Sequence, residues 1–446
     1  MHIGIVGSGI SGLSAAWLLS RLHNVTVFEK DRRLGGHSNT VRVAGHGKTI
    51  DVDTGFIVYN ERNYPELTAL LDHLKVATAP SAMSFSASIG DGELEYCGSS
   101  PLALFAQKRN LLRPAFYRML GDIARFNRLG TAHLDKAGRS DWTLGRFLDN
   151  HGFGSAFRGA YLLPMAAAIW SCPTATMLNF PATSFLRFFA NHGLLTVADQ
   201  PKWRTLEHRS RDYVERLRAS FAAQVRSSAP VIAVRRQPGG VEVVDGRGGQ
   251  FRFDAVVMAA HADQTAAVLL DADEEERQLL GAFRFQANRA VLHSDPSLMP
   301  KRRGAWAAWN YAASGLLEPG DRVAVTYWMN RLQNIDERWP LFVSMNPITE
   351  PDPALVHSEH SYEHPIFDAE ALAAQTKMDA IQGRGGVYYA GAWLGHGFHE
   401  DGLRSGLEVA ARLGVRAPWK PAPDVELPMP AASGLGLPEH AAAQPV

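Results

Sequence analysis

Residues 1–30 read MHIGIVGSGISGLSAAWLLSRLHNVTVFEK. Residues 2–6, HIGIV, are short, apolar and partly β-branched, the pattern of a parallel strand buried on both faces. Gly7-Ser8-Gly9-Ile10-Ser11-Gly12 follows as a turn of the form G-x-G-x-x-G. Leu13–Leu22 reads as a helix of small and apolar residues, and Val25–Lys30 as a second strand. Together they make a βαβ unit that begins at the second residue. In such a unit Gly7 permits a tight turn, Gly9 lets backbone approach a pyrophosphate, and Gly12 lets helix and strand pack closely. The helix N-terminus adds its dipole and free N–H groups. Glu29, at the end of the second strand, is placed to accept hydrogen bonds from a ribose diol.

The far end of the chain mirrors this pattern. Gly386–Trp393, GVYYAGAW, reads as a strand running into a glycine turn, and Gly402–Gly414 as a helix ending at glycine. Residues 205–270 carry strand patterns in PVIAVRR, GVEVVDG and FRFDAVVMAA. Residues 60–200 are helical and aromatic in character, and 285–350 are strand-rich and aromatic. The nucleotide-binding parts therefore fall at the start, middle and end of the chain, with a second domain inserted between them.

The dinucleotide motif alone does not separate nicotinamide from flavin cofactors. The segment after it does more. Glu29-Lys30-Asp31-Arg32-Arg33-Leu34-Gly35-Gly36-His37 resembles the second flavin signature of the amine oxidase, protoporphyrinogen oxidase and phytoene desaturase superfamily, an acid, a spacer and Gly-Gly-Arg. Asp51–Phe56, DVDTGF, is similar to the D-x-G segment that lies beside the flavin in that family. The resemblance returns at Val231, at Asp254–Ala260, and at Tyr389-Ala390-Gly391 with the helix through Ser405-Gly406. It spans residues 2 to 415. It implies FAD as cofactor, with Gly7, Gly9, Ile10, Ser11, Gly12, Glu29, Lys30, Gly35, Gly36, His37, Gly55, Phe56, Val231, Gly391, Ala392 and Asp401 as its contacts. Two positions depart from the family pattern. His37 stands where arginine is usual, and Ala392 where an acid commonly holds the ribityl chain, a role open to Glu400 or Asp401.

The expected fold is α/β, a discontinuous Rossmann-like FAD-binding domain with an inserted substrate domain. Residues 1–60, 205–285 and 380–416 belong to the first, residues 61–204 and 286–379 to the second. Residues 417–446 are rich in proline and alanine and read as a disordered tail.

The chain's 446 residues suffice to bury a large core without disulfide or metal staples. Lys+Arg and Asp+Glu both number 45, which argues against global attraction to nucleic acid. Two cysteines, Cys97 and Cys172, form neither a disulfide framework nor a thiolate metal site, and they fit a reducing compartment. No spacing of histidines matches a metal site. The N-terminus shows no signal-peptide pattern. The longest apolar run, Tyr161–Trp170, is too short to span a bilayer and contains Pro164. The expected location is the cytoplasm.

A flavin needs a substrate held over its ring and water kept away. Trp306, Trp309, Asn310, Tyr327, Trp328 and Asn330 either wall a substrate tunnel or pack sheet against helices. Of these, Trp309, Asn310 and Tyr327 are the catalytic-site candidates, with His399, which follows the last flavin strand and has an ordinary pKa near neutrality. His293-Ser294-Asp295 reads first as a structural hydrogen bond, and Arg204 as a carboxylate or phosphate partner or a surface ion pair. Neither G-x-S-x-G nor H-E-x-x-H occurs.

Residues 101–130 hold Lys108, Arg109, Arg113, Arg118, Arg125 and Arg128, with Asp122 the one acid. Phe116, Met119, Leu120, Ile123 and Phe126 recur at helical spacing, with Arg118, Arg125 and Arg128 opposite. Such a face either touches anionic lipid headgroups at the inner face of the membrane or is solvated over a buried stripe. Phe180–Leu195 is apolar enough to line an acyl channel.

Within the superfamily, GGH and GFHEDGLRSG resemble a bacterial branch of desaturases of methyl-branched fatty acyl chains, including those leading to furan fatty acids. That resemblance implies hydride removal beside an alkene of a hydrophobic or lipid substrate. The rival readings are a soluble amine oxidase, a flavin-dependent isomerase or mutase without net redox change, and a flavin-binding partner protein with an inactive ring site.

Overall fold

The computed structural model describes residues 1–45, 47–135, 142–170, 177–196, 200–315 and 324–420. The opening βαβ unit forms as the sequence predicts: strand His2–Val6, helix Ile10–Leu19 and strand Asn24–Phe28. His2–Val6 lies at the centre of a five-stranded parallel sheet, flanked by Asn24–Phe28 and Ala255–Met258, with Gln224–Arg226 and Val387–Tyr389 at the edges. Three distant parts of the chain thus build one sheet, and the α/β fold is observed.

Both faces of this sheet are covered, which is why its strands are nearly continuously apolar. Alternate residues divide between two cores. Ile3, Ile5, Val25, Val27 and Val257 pack with the helices Ile10–Leu19 and His399–Arg412. Val6, Phe28, Val256 and Met258 pack instead under a three-stranded antiparallel sheet, Val231–Gln237, Gly240–Asp245 and Gln250–Phe253. Every residue of Ile10–Leu19 is buried, as an apolar helix between sheet and closing helix must be.

The second large sheet has seven strands in the order Val356–Ile366, Arg284–His293, Phe342–Met345, Ala324–Trp328, Trp309–Ala313, Phe85–Ile89 and Leu94–Cys97. The last two come from a region that reads as helical from its sequence. The first, VHSEHSYEHPI, is the longest strand, and its polar residues conceal it. One face of this sheet packs against Pro114–Asp135, Leu144–Asn150 and Ala182–Asn191 in a core rich in phenylalanine. Pro164 sits in Leu163–Trp170, directly after a π-helical turn at Arg158–Leu162.

The expected tail begins too early at 417. Ala417 is buried, Trp419 stacks on Trp17 with ring centroids 5.7 Å apart, and its Nε1 donates to Glu66 at 2.8 Å. Folded chain therefore continues to Lys420, because an aromatic side chain had an apolar helix to cover. The remainder of the predicted tail, and Cys172, lie outside the described residues.

Candidate cofactor and substrate site

The glycine turn is built as the chemistry requires. Gly7 has φ +103°, and a Cβ on Gly12 would overlap the Gly7 carbonyl oxygen. At Gly9 a Cβ would meet nothing within 4 Å, so open space lies in front of the turn. Gly9 caps the helix without a side-chain hydrogen bond. The first N–H groups of the helix, from Ile10 on, thus have no intrahelical acceptor and face the place where a pyrophosphate belongs. These residues fit a dinucleotide.

Glu29 is buried. Its Oε2 accepts from Ser8 N at 2.9 Å and from Ser8 Oγ at 2.5 Å, and its Oε1 accepts from Asp31 N at 2.9 Å. These bonds fix the carboxylate at the end of its strand and leave acceptor capacity on Oε1. Ala229 N donates to the Glu29 carbonyl at 2.8 Å, which brings the strand beginning at Val231 to the same end. Lys30 is exposed beside it.

The second glycine pair folds back onto the first turn. Gly35 N donates to the Ser8 carbonyl at 2.9 Å, and a Cβ on Gly36 would stand 3.1 Å from the Gly9 Cα. Phe56 N donates to the His37 carbonyl at 2.9 Å, and a Cβ on Gly55 would overlap that carbonyl oxygen. The closing helix packs just as tightly. Its Gly402 and Gly406 lie against Ile10, Ser11 and Ser14, and Ser405 Oγ accepts from Gly391 N at 2.9 Å. Ala392 is half-buried 3.6 Å from the position of a Cβ on Gly402.

The acids proposed for the ribityl chain are engaged elsewhere. Glu400 accepts from Glu66 N and Leu67 N, both at 2.9 Å, and so caps the helix Pro65–His73; burial raises its pKa to about 7. Asp401 accepts from His396 N at 3.0 Å and Phe398 N at 3.1 Å, and its other oxygen accepts from Arg404 at 2.9 Å. It orders the loop before the closing helix.

His399 begins that helix. Its ring stacks on Phe56 with centroids 4.0 Å apart and an interplanar angle of 9°. Its Nε2 lies 2.8 Å from Tyr213 OH, which in turn lies 2.5 Å from Ser38 Oγ. Burial lowers the His399 pKa to about 3, so the expectation of a group titrating near neutrality is corrected. The imidazole is neutral at pH 7. The tautomer in which Nε2 accepts from Tyr213 carries its proton on Nδ1.

His37, in the arginine position, packs near Tyr362, His364 and His261, at ring distances of 5.1, 5.6 and 6.4 Å. Desolvation, then His364 and His261, hold its pKa at about 3. Tyr362 OH accepts from Asn39 Nδ2 at 2.9 Å and lies 2.7 Å from Thr54 Oγ1, tying the long strand to the D-x-G segment. Asp53 of that segment is buried and accepts from Ser210 N, Ser210 Oγ, Thr40 Oγ1 and Gln333 Nε2.

Register divides the aromatic candidates. Trp309 and Tyr327 face each other across paired strands, their rings 5.1 Å apart and edge to face. Both contact the helical core and the core under Ala290, Leu292 and Val343. Burial pushes the Tyr327 hydroxyl pKa far up, yet its side chain, like those of His37 and His399, keeps accessible surface. All three side chains are therefore only partly buried. The Trp309 Nε1–H is buried with no acceptor among the described residues.

Asn310 corrects the expectation of a catalytic role. Its Oδ1 accepts from Ser86 Oγ and Ala307 N, both at 2.8 Å, and its Nδ2 donates to Ala307 O at 2.6 Å and Thr326 O at 3.0 Å. Nothing remains for a substrate. Trp306 and Trp328 pack with Phe342 and Met299 in a separate small core. Asn330 closes a turn through Asp336 O and Trp339 O. His293 accepts from Asp295 N at 3.1 Å and meets Ser344 Oγ at 2.8 Å, a structural pair, and Arg204 donates to Thr78. Among the described residues no group of three or more His, Cys, Asp or Glu is placed to hold a metal.

The comparisons agree with this geometry. The family model for flavin containing amine oxidoreductase matches residues 10–294, more than half of the chain. The chain belongs to this family. Its cofactor is FAD, which the open glycine turn, the anchored Glu29 and the Gly35-Gly36 backbone fit. Protoporphyrinogen oxidase 2, chloroplastic/mitochondrial, from Arabidopsis thaliana is 43% identical over 74 residues, 16% of this chain and 14% of that protein. The match thus spans only a small part of that curated relative's length. Two solved structures share the fold over nearly the whole chain. The CLA-producing fatty acid isomerase from P. acnes is 16% identical, with a TM-score of 0.64, covering 93% of this chain and 98% of its own. Cyclohexylamine oxidase from Brevibacterium oxydans IH-35A is 15% identical, with a TM-score of 0.64, covering 92% and 98%.

Tyr213, Ser38, Tyr362, His364 and His261 are the site residues that sequence reading misses. Only a dense histidine run, HSEHSYEH, hinted at one of their strands.

Proposed function

We propose that this protein is a FAD-dependent oxidoreductase that removes hydride from a hydrophobic substrate, a methyl-branched unsaturated fatty acyl chain taken from the membrane surface. The observation that carries the reading is the set of partly buried aromatic side chains of this region, beginning with the stacked pair Phe56 and His399. Tyr327, Trp309 and Phe398 pack, partly buried, against the same phenylalanine-rich core, and the carboxylates Glu400 and Asp401 are both bound to backbone N–H groups. An ammonium ion would find no free carboxylate from these two residues, whereas an acyl chain finds apolar surface.

Bound in this site, FAD supplies the two-electron acceptor for the hydride, with dioxygen or another oxidant taking the electrons afterwards. The protein's own groups position and exclude. The glycine turn and Glu29 hold the dinucleotide end. Phe56 and Tyr213 fix the plane and hydrogen bonding of His399. Burial keeps His37 and His399 neutral, so neither adds a fixed charge where carbon–hydrogen bonds are broken. The fatty acid isomerase of the same fold supports an acyl substrate and also a second reading, double-bond movement without net oxidation.

Anaerobic mixing of the oxidised holoprotein with methylated unsaturated phospholipid tests the proposal. Flavin bleaching faster than with the unmethylated lipid, or with an amine panel, is expected. Equal rates overturn it. Product with a shifted double bond and no net acceptor consumption favours the isomerase reading.

A further inference from the structure

The described surface is unusual around residues 102–117. Leu102 is 89% exposed, Leu112 87%, Leu111 50% and Tyr117 48%. They lie within sixteen residues of sequence, on the short helix Pro101–Leu104, the turn Lys108–Leu112 and the first turn of Pro114–Asp135. Lone exposed leucines are ordinary; a cluster of them is not.

The cations of this segment are interleaved with the leucines. Lys108, Arg109 and Arg118 are exposed and Arg113 partly so, and no acid occurs from Tyr96 to Gly121. None of the four has an ion-pair partner among the described residues. Arg109 and Arg113 donate instead to the carbonyl of Glu93, which holds their stems against the Asp91–Glu93 turn. The charged groups facing them from neighbouring elements are Asp91, which pairs with Lys301 at 2.8 Å, Glu93, and Arg302, which pairs with the buried Glu95 at 2.7 Å. The patch therefore keeps a positive excess. Arg125, read from the sequence as part of a lipid-facing row, is not in it. That side chain pairs with Asp122 at 3.0 Å and lies over Phe153.

The patch is also firmly seated. Tyr117 packs on Phe105, Phe105 on Phe116, and Phe116 on Tyr96, with ring centroids 5.7–6.1 Å apart. This ladder runs from the surface into the core against which Trp309 and Tyr327 also pack.

We infer that Leu102, Leu111, Leu112 and Tyr117, with Lys108, Arg109, Arg113 and Arg118, form the surface by which the protein docks on an anionic lipid bilayer. The leucines enter the headgroup–acyl boundary, and the cations meet lipid phosphates. A neutral or acidic protein partner would leave either the charge or the apolar tips without a match. This is membrane attachment by a defined edge of the molecule. It stands independently of which substrate is oxidised.

Sedimentation of the holoprotein with vesicles tests it, using saturated phosphatidylglycerol–phosphatidylcholine mixtures or phosphatidylcholine alone, neither of them a substrate. Binding is expected to rise with phosphatidylglycerol and to fall with added salt. The triple variant Leu102→Ser/Leu111→Ser/Leu112→Ser should bind at least about tenfold more weakly, because each serine removes an inserted side chain. Leu22→Ser, at a 69% exposed leucine outside the patch, should bind as the parent. Equal binding of triple variant and parent, or no preference for phosphatidylglycerol, overturns the inference. So does a parent dimer by light scattering that the triple variant converts to monomer, since the patch would then serve a second copy. Retained flavin absorbance in the triple variant shows that it is folded. Failure of the acyl-oxidation test leaves these readouts unchanged.

Discussion

The two ends of the cofactor tract are made in opposite ways. The pyrophosphate end is a largely local unit whose glycine turn closes on itself, Gly12 against Gly7, with Gly36 folded back toward Gly9. The ring end gathers Ser38, Phe56, Tyr213, Tyr362 and His399 from segments hundreds of residues apart. One end is specified by backbone space, the other by side-chain packing. The first should fail abruptly when mutated and the second gradually.

The sharpest test of that contrast is Gly12→Val. Its Cβ has no room beside the Gly7 carbonyl, so loss of bound flavin is expected together with destabilisation of roughly 4 kcal/mol or more, read by absorbance and thermal unfolding. If flavin is retained, the turn is not built by contact at this glycine. Next comes Asn310→Ala, which leaves buried partners on Ser86, Ala307 and Thr326 and should cost about 2–3 kcal/mol in urea unfolding without moving flavin affinity. Tyr327→Phe on the neighbouring strand should cost under about 0.5 kcal/mol and alter substrate KM instead, since its hydroxyl has no hydrogen-bond partner among the described residues. An Asn310→Ala enzyme that is stable but inactive would restore the catalytic role. Glu29→Gln should weaken FAD binding about tenfold to a hundredfold with little change in kcat once saturated.

A pH dependence tests the ring end as a whole. His37 and His399 have pKa values lowered to about 3, and His192 and His364 to about 4, chiefly by burial. The unfolded chain takes up protons on these groups near pH 6.5 while the folded chain does not. Their stabilisation is therefore complete above about 6.5 and is lost as pH falls toward 4. Glu400, raised to about 7, acts oppositely: its contribution is present below about 4.5 and is lost as pH rises through 7. The thermal midpoint should fall by a few degrees between pH 6.5 and 5. A flat profile would mean that the histidines at the ring end are solvated, not enclosed.

Much of the fold was legible because its signals are local. Strand alternation, glycine spacing and the acid at position 29 depend on neighbours a few residues away, and the three sheet-forming segments were found separately. The long strand Val356–Ile366 was not legible, because its half-exposed edge position lets serine, glutamate and histidine replace the apolar residues by which strands are recognised. The tail boundary was misplaced for the converse reason: Trp419 is ordered by Trp17 and Glu66, far away in sequence.

At the site, the close backbone packing at Gly7, Gly12, Gly35, Gly36 and Gly391 could be read in advance, since glycine is favoured where a Cβ is crowded. Side-chain roles could not. Asn310 and Tyr327 look equally suited to a substrate wall until the fold spends every polar atom of one on neighbouring strands and leaves the other partly buried between two cores. Glu400 and Asp401 look like free carboxylates until two helix N-termini claim them. The sequence alone therefore determined the cofactor cradle, because steric exclusion at a backbone turn is encoded residue by residue. Only the tertiary structure decided which polar groups are spent and which keep free capacity, because hydrogen-bond capacity is consumed by whatever the fold brings within reach.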